Sequence, residues 1–510
     1  MSDTLKNPDQ KLILGHPQGL FYLFFAELWE RFSFYGMRAL LTLYMVNVIF
    51  ESLVERDYAT AAVYASYGSL VYASTVIGGK ISDQILGMRH SIFLGGILMA
   101  IGHFVLAIES NIAFFLALSL IIVGNGFFKP NISTFVGTLY DKGDPRKDSG
   151  FTIFYMGINI GAWSAPLLCG WLAAKYGWHY GFGLAGLGML TGLLFFWRGI
   201  RKSVFGDRGL PPDDQIMSKK ILGIPQSILI PILAVASTPV IALLLSSYQS
   251  VASQGLLKGQ NIVNIIFKGI AIAVLVYLAF EMFRSTLDER KKLFVALIIT
   301  IFMTLFWGFQ ELSGSVITLF AARNVDLNGI MTAAQTNSLS AMFIIILAIP
   351  VSMLWTWLSR KNLNPRTPYK FGLGMLFAGI SFYVLAKSGS AADTNGLVPF
   401  AYLLLMYFLL STGELFMSPV GLSKITDLSP ARIVAFMMGV WFLSSAFAFQ
   451  IVGFIGKQLA IESTDKNVGG YETLEVYTTG FSVIATYAIG AGVVILLLSP
   501  LIKRLMGNVH

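Results

Sequence analysis

The stretch Glu27-Leu-Trp-Glu30-Arg31-Phe-Ser-Phe34-Tyr35-Gly-Met-Arg38 lies inside an otherwise apolar run from about Gly19 to Phe50. Such a run is long enough to cross the ~30 Å hydrocarbon core of a bilayer as a helix. Steps of three or four residues put Glu27, Arg31, Tyr35 and Arg38 in one stripe on that helix, with Glu30 beside it. Ionised groups at membrane depth are expensive, so they face a protein interior or a water-filled path and carry function. Two carboxylates and two guanidiniums on one helical face point to a site for charged solutes and protons.

Working outward, the whole chain has this character. It has 510 residues, 55% hydrophobic and 12% charged, with a mean hydropathy of +0.70. A soluble protein carries about 25% charged residues. The apolar runs are about twenty residues or longer, whereas barrel strands alternate over segments of about ten. The expected fold class is therefore an all-α polytopic membrane protein. Its fourteen hydrophobic spans are expected at about 18–49, 58–86, 90–108, 112–138, 148–174, 178–199, 224–246, 263–283, 291–322, 333–359, 369–388, 396–426, 430–460 and 475–505. The one cysteine, Cys169, excludes an internal disulfide and a cysteine metal cluster. The polar first seventeen or so residues lack a cleavable signal pattern, so the first helix is expected to be an uncleaved targeting element.

The net charge is +9. It is read as topology rather than nucleic-acid binding, because basic loop residues set orientation. Arg89, the group Lys142, Arg146 and Lys147, the group Arg201, Lys202 and Arg208, Arg284 with Arg290, and Arg360 with Lys361 all follow even-numbered spans, and Lys503 with Arg504 come at the end of the last. The opposite loops, with Glu51, Arg56, Glu109, Lys258, Arg323, Asp465 and Lys466 among their charges, are poorer in Lys and Arg. Both termini are expected in the cytoplasm.

Spans one to six form one half (1–199), a linker with two extra spans occupies 200–290, and spans nine to fourteen form the other half (291–510). Two six-helix bundles resemble the layout of the major facilitator transporters, in which one half rocks against the other. Gly79-Lys-Ile-Ser-Asp83-Gln-Ile-Leu-Gly87-Met-Arg89 resembles that superfamily's loop motif. Asp83 and Arg89 are expected to form a charge network that latches one conformation, or else an ordinary turn with surface charges.

Glu27-x-x-Glu30-Arg31-Phe32-x-x-Tyr35 resembles the ExxERFxYY signature of the proton-dependent oligopeptide transporters. Phe151-Thr-Ile-Phe154-Tyr155-Met-Gly-Ile-Asn159-Ile-Gly161 and Gly124-Asn125-Gly126-Phe-Phe-Lys129-Pro130-Asn131 look like two more of the family's patterns. Gly413-Glu414-Leu-Phe-Met-Ser418-Pro419-Val-Gly421-Leu-Ser423 matches a fourth, in the later half. The resemblance implies a proton-coupled importer of di- and tripeptides with no cofactor beyond its protons, working as a monomer.

A peptide offers a carboxylate, an amine and variable side chains. Arg31 and Lys129 suit the carboxylate, and Glu414 suits the amine. Tyr35, Tyr72, Tyr155, Asn131 and Asn159 offer hydroxyls and amides to the backbone. Trp307 and Trp441 are expected to wall side-chain pockets, with Ser445 one turn from Trp441. Glu27, Glu30, Lys129 and Glu311 are the proton-coupling candidates, and the resemblance pairs Glu311 with Arg38 as a gate. Plainer readings stay open: a static ion-pair knot for Glu27, Glu30, Arg31 and Lys129, packing for the tyrosines and tryptophans, a wet vestibule for Glu311, and repair of the turn broken by Pro130 for Asn131.

The sequence departs from the family pattern at Phe34, where a tyrosine is usual, at Gln310, where many members carry an acid, and at Ser340-Ala341-Met342. Alternatives are a transporter of the same family for nitrate or a peptide-like drug, and a drug–proton antiporter. An enzyme is not expected, because no metal motif, nucleophile elbow or phosphate loop is present.

Overall fold

The computed structural model describes residues 12–141, 143–254, 262–430, 432–462 and 469–506. Lys142, Lys258, Asp465 and Lys466, used above in the loop reading, lie outside the described residues, as do the side chains of Pro419 and Ser423.

The helices are α1 (Gln18–Tyr44), α2 (Arg56–Ile81), α3 (Gly87–Leu106), α4 (Asn111–Thr138), α5 (Lys147–Tyr176) and α6 (Trp178–Arg201). The short α7 (Asp214–Ser218) precedes α8 (Gln226–Gln254) and α9 (Ile262–Arg284). Then come α10 (Leu287–Gln310), α11 (Val316–Asn324), α12 (Ser338–Arg360), α13 (Thr367–Ser388), α14 (Phe400–Leu428), α15 (Val434–Gln458) and α16 (Tyr471–Met506). Among the described residues, thirteen runs are long and apolar enough to cross a membrane. One of them, Arg56–Leu106, is 51 residues long, far more than the roughly 20 that one crossing needs. It divides at Gly87, whose φ of 70° is a conformation that side chains with a Cβ rarely adopt. Counted as two, it brings the crossings to fourteen.

By packing, the chain forms two units: Met1–Met37 with Ala73–Leu243, and Arg38–Tyr72 with Leu244–His510. The first unit is built around Leu20, Leu23, Met99, Phe128, Phe135, Met189 and Phe196. Here α3 and α4 approach backbone to backbone. A Cβ on Gly95 would meet the Gly124 carbonyl oxygen at 2.4 Å, and one on Gly124 would meet that of Gly95 at 2.6 Å. In the second unit α13 and α14 meet in the same way, with a Cβ on Gly413 only 2.6 Å from the Gly374 carbonyl oxygen. Small residues let helices pack closely where lipid removes the usual hydrophobic drive. The same device at corresponding helices of the two halves is what an internal structural repeat looks like.

Candidate functional site

In the first unit, α1 presents Glu27, Glu30 and Arg31, all buried. The side chain of Glu30 is fully shielded and takes the Arg31 fork on both oxygens: Nη2 donates to Oε1 at 2.7 Å, and Nε donates to Oε2. Glu27, one turn earlier, lies 3.2 Å from the same Nε through Oε1. Glu30 and Lys129 are the electrostatic neighbours of Glu27 besides Arg31. Two carboxylates, one guanidinium and one ammonium thus make a quartet whose formal charges cancel, Lys129 being half-buried and the other three buried. In the low dielectric of an interior, changing one charge of such a set is felt by the others. Glu30 was expected beside the stripe, since adjacent helical residues do not face each other. Here its side chain folds back onto Arg31 and becomes the principal partner.

Around the quartet, Phe34 is buried with its ring under the Arg31 guanidinium, 5.3 Å from centroid to Cζ. Tyr35 meets Phe34 edge to face, 5.5 Å between centroids, and is an electrostatic neighbour of Arg31. Asn131 donates to the Phe127 carbonyl (2.7 Å) and Asn159 to the Tyr155 carbonyl (3.0 Å), so one N–H of each amide is used on its own helix. Their amide oxygens remain as acceptors. Tyr155 is 48% exposed. Cys169 is buried, and its Sγ would be 2.6 Å from a Cβ on Gly36, which fixes how closely α1 and α5 approach.

In the second unit the helix that begins as α10 breaks directly after Gln310. Glu311–Gly314 is a 3-10 turn and Ser315 has φ −131° and ψ −96° before α11 resumes. Broken membrane helices are tolerated where side chains and neighbouring helices satisfy the freed backbone groups. Thr42 does so here, donating to the Gly314 carbonyl at 2.6 Å. Glu311, at the break, is ion-paired with Arg38. The Arg38 Nε donates to the Tyr64 hydroxyl at 2.9 Å. A Cβ on Gly314 would stand 2.1 Å from the Tyr64 hydroxyl and 2.8 Å from Arg38 Nε. We expect Gly314→Ala to push Tyr64 and Arg38 apart and to cost about 1–3 kcal/mol by overpacking. Thermal unfolding in detergent measures it, and Tyr64→Phe should relieve part of the loss.

Glu414 on α14 is 8% exposed. It accepts from Gln310 Nε2 at 2.9 Å, and Glu311 is its electrostatic neighbour. Among the described residues no cation pairs with it. The same Gln310 nitrogen donates to Ser340 at 2.9 Å, and Ser340 meets Ser411 at 3.4 Å. Trp441 is buried against Gly421, where a Cβ would meet Cη2 at 2.3 Å. Trp307 is half-buried and meets Phe306 edge to face. Ser445 is half-buried, and Tyr72 packs beside Phe449, 5.9 Å between centroids.

A scan of family models matches residues 89–472 to the one described as PTR2, POT family. The chain belongs to the POT family. A transporter of Bacillus subtilis named YclF is 38% identical over 99% of this chain and 98% of its own length. The di-/tripeptide transporter of Lactococcus lactis subsp. lactis is 34% identical over 99% of both. A crystal structure of a peptide transporter POT in complex with sulfate superposes with a TM-score of 0.81, at 36% identity and covering 98% of each chain.

Two of the departures from the POT pattern fit each other. Gln310 and Ser340 are hydrogen-bonded, and through Gln310 they supply Glu414 with a neutral donor where an acid would repel it. The loop motif behaves differently from the expected charge network. Asp83 is exposed and, among the described residues, makes no hydrogen bond or ion pair. Arg89 turns to backbone carbonyls after α6, donating from Nε to Arg208 (2.7 Å) and from Nη2 to Gly206. Its own backbone N–H donates to the Gly209 carbonyl at 3.0 Å. The segment 206–209 with its positive-φ glycines curls under the arginine, which sequence spacing does not reveal.

Arg323, read from sequence as a loop charge, forms an ion pair deep in the second unit. Arg323 donates to Asp57 bidentately at 2.6 and 2.8 Å and to the Tyr477 hydroxyl at 2.8 Å. The Ile461 N–H donates to Asp57 at 3.2 Å. Acid and base at the ends of apolar runs look solvated in sequence. Only a structure shows that α2, α11 and α16 bury them together.

Proposed function

We propose that this POT-family chain is a proton-coupled symporter importing di- and tripeptides by alternating access. It would sit in a bacterial inner membrane with both termini in the cytoplasm, work as a monomer and carry its solute unchanged. The observation that carries the reading is an asymmetry of buried charge. One unit holds a neutral quartet of two acids and two bases, and the other holds Glu414, buried with an amide donor and no paired cation among the described residues. A zwitterion complements both. Its carboxylate suits Arg31 and Lys129, its amine suits Glu414, and Tyr35, Tyr72, Tyr155, Asn131 and Asn159 take backbone groups. Trp307, Trp441 and Ser445 leave side-chain space loosely defined.

Coupling follows from charge balance. While Glu27 and Glu30 are both ionised, Arg31 and Lys129 are neutralised. A proton on one carboxylate frees one positive charge for the peptide carboxylate. Opening Arg38 from Glu311 is the second proton-sensitive step, and Arg89 with the 206–209 turn holds the loop between α2 and α3. Capped peptides test the assignments of the two ends. In wild-type proteoliposomes, N-acetyl-dialanine should compete about 10–100-fold more weakly than dialanine, the worth of a hydrogen bond to a charged group. In Glu414→Gln that penalty should vanish. Competition by nitrate or a cationic drug, with none by dialanine, would assign a different solute.

A further inference from the structure

We infer that Arg432 is a positioning residue: it pins the accessory helix α9 and the α9–α10 corner to the hairpin of α14 and α15. Arg432 lies in the turn between those helices. Its Nη2 donates to Ser285 Oγ at 2.6 Å, its Nη1 donates to Glu289 at 3.0 Å, and its Nε lies 3.4 Å from Glu281. All three partners belong to the corner. Glu281 and Ser285 are buried, and Ser285 donates to the Glu281 carbonyl at 2.6 Å. Glu289 accepts from the Thr286 N–H at 3.1 Å in a capping box that starts α10. Burying a carboxylate is costly unless it is paired, and the Arg432 guanidinium is a partner of Glu281. Each of the three guanidinium nitrogens therefore has its own anchor, a geometry that lysine cannot reproduce.

The contact continues along α9 onto α15. Tyr277 meets Phe436 with ring centroids 4.5 Å apart, and Phe267 meets Phe447 at 5.9 Å. The opposite face of α9, with Ile265, Ile272, Val276 and Phe283, is exposed. So α9 lies on α15 by one side only. The helices that α9 and its corner hold are those that matter for the solute: α10 leads to Gln310 and Glu311, while α14 and α15 carry Glu414 and Trp441. The accessory helix is thus a brace that sets how these helices stand to one another and lets them move as one body.

This inference rests on the transport reading for its functional consequence but not for its geometry, so two measurements are paired. In full-length protein with Cys169→Ser, spin labels at the exposed positions Leu275 and Phe442 report the spacing of α9 and α15. The spacing should be narrowly distributed in the parent and broadened in Arg432→Ala, whatever the solute. In proteoliposomes, Arg432→Ala should lower Vmax for dialanine about five-fold with KM within about two-fold, the pattern of a lost positioning contact rather than a lost binding contact. Arg432→Lys should recover part of the rate. Glu281→Gln with Glu289→Gln should match Arg432→Ala, and adding Arg432→Ala to that pair should lower the rate no further. If Arg432→Ala does not fold, Arg432→Lys and the paired glutamine variant carry the comparison. An unbroadened spacing, or losses that multiply instead of saturating, would overturn the inference.

Discussion

Glu30→Gln is expected to abolish uphill peptide accumulation while leaving peptide exchange intact. Gln keeps the volume and one acceptor for Arg31, so the fork that now closes on Glu30 is weakened rather than left as a cavity. The charge, however, is gone at every pH. Two unit charges 4 Å apart interact by about 4 kcal/mol at an effective dielectric near 20. Losing that attraction leaves the quartet permanently as it stands after one proton is taken up. The variant then binds and exchanges peptide but has no proton to release, and net transport loses its drive. One proton moving down ~100 mV supplies about 2.3 kcal/mol, which is roughly 50-fold accumulation. Wild type should approach that ratio and Glu30→Gln should stay near one, while counterflow rates remain within a few-fold of wild type. A variant that still concentrates dialanine would move the coupling proton to Glu27 or Glu311.

Asp57→Ala carries the largest expected loss of stability. It leaves Arg323 in a buried position with the Tyr477 hydroxyl, 2.8 Å away, as its remaining side-chain partner. Breaking a buried pair by deleting one side costs about 3–5 kcal/mol, because the surviving charge stays desolvated. Removing both charges is far milder. Asp57→Leu with Arg323→Met should therefore regain most of what Asp57→Ala loses, read as the unfolding midpoint in detergent. The Ile461 N–H, now 3.2 Å from Asp57, accounts for part of the remainder. Equal stability of Asp57→Ala and wild type would mean that water reaches this pair.

The fold was legible because apolar run length is a one-dimensional signal. Even the Arg56–Leu106 run was divided correctly, since Gly87 and Arg89 mark its turn in sequence. The quartet was legible in part, as helical spacing brought Glu27 and Arg31 together at i and i+4. The Glu30–Arg31 fork was not, because it depends on rotamers that no periodicity encodes. The Arg38–Glu311 pair was expected only through family resemblance, since residues 273 positions apart are joined by tertiary packing alone. The run Glu311-Leu-Ser-Gly-Ser, polar and small inside an apolar span, is the sequence signal of the helix break. Arg323 reads as a loop charge for the opposite reason: its position at a span end imitates a solvated residue, and Asp57 carries no sequence signal that pairs the two. In sequence Gln310 and Ser340 are separate departures, and only their 2.9 Å contact shows that they belong together.

The most direct test of the central claim is dialanine uptake by the wild-type protein in proteoliposomes with an imposed inward proton gradient, with and without a protonophore. The account predicts accumulation above the external concentration that collapses to equilibrium when the protonophore is added. Dialanine that merely equilibrates, or an accumulation indifferent to the protonophore, would contradict it.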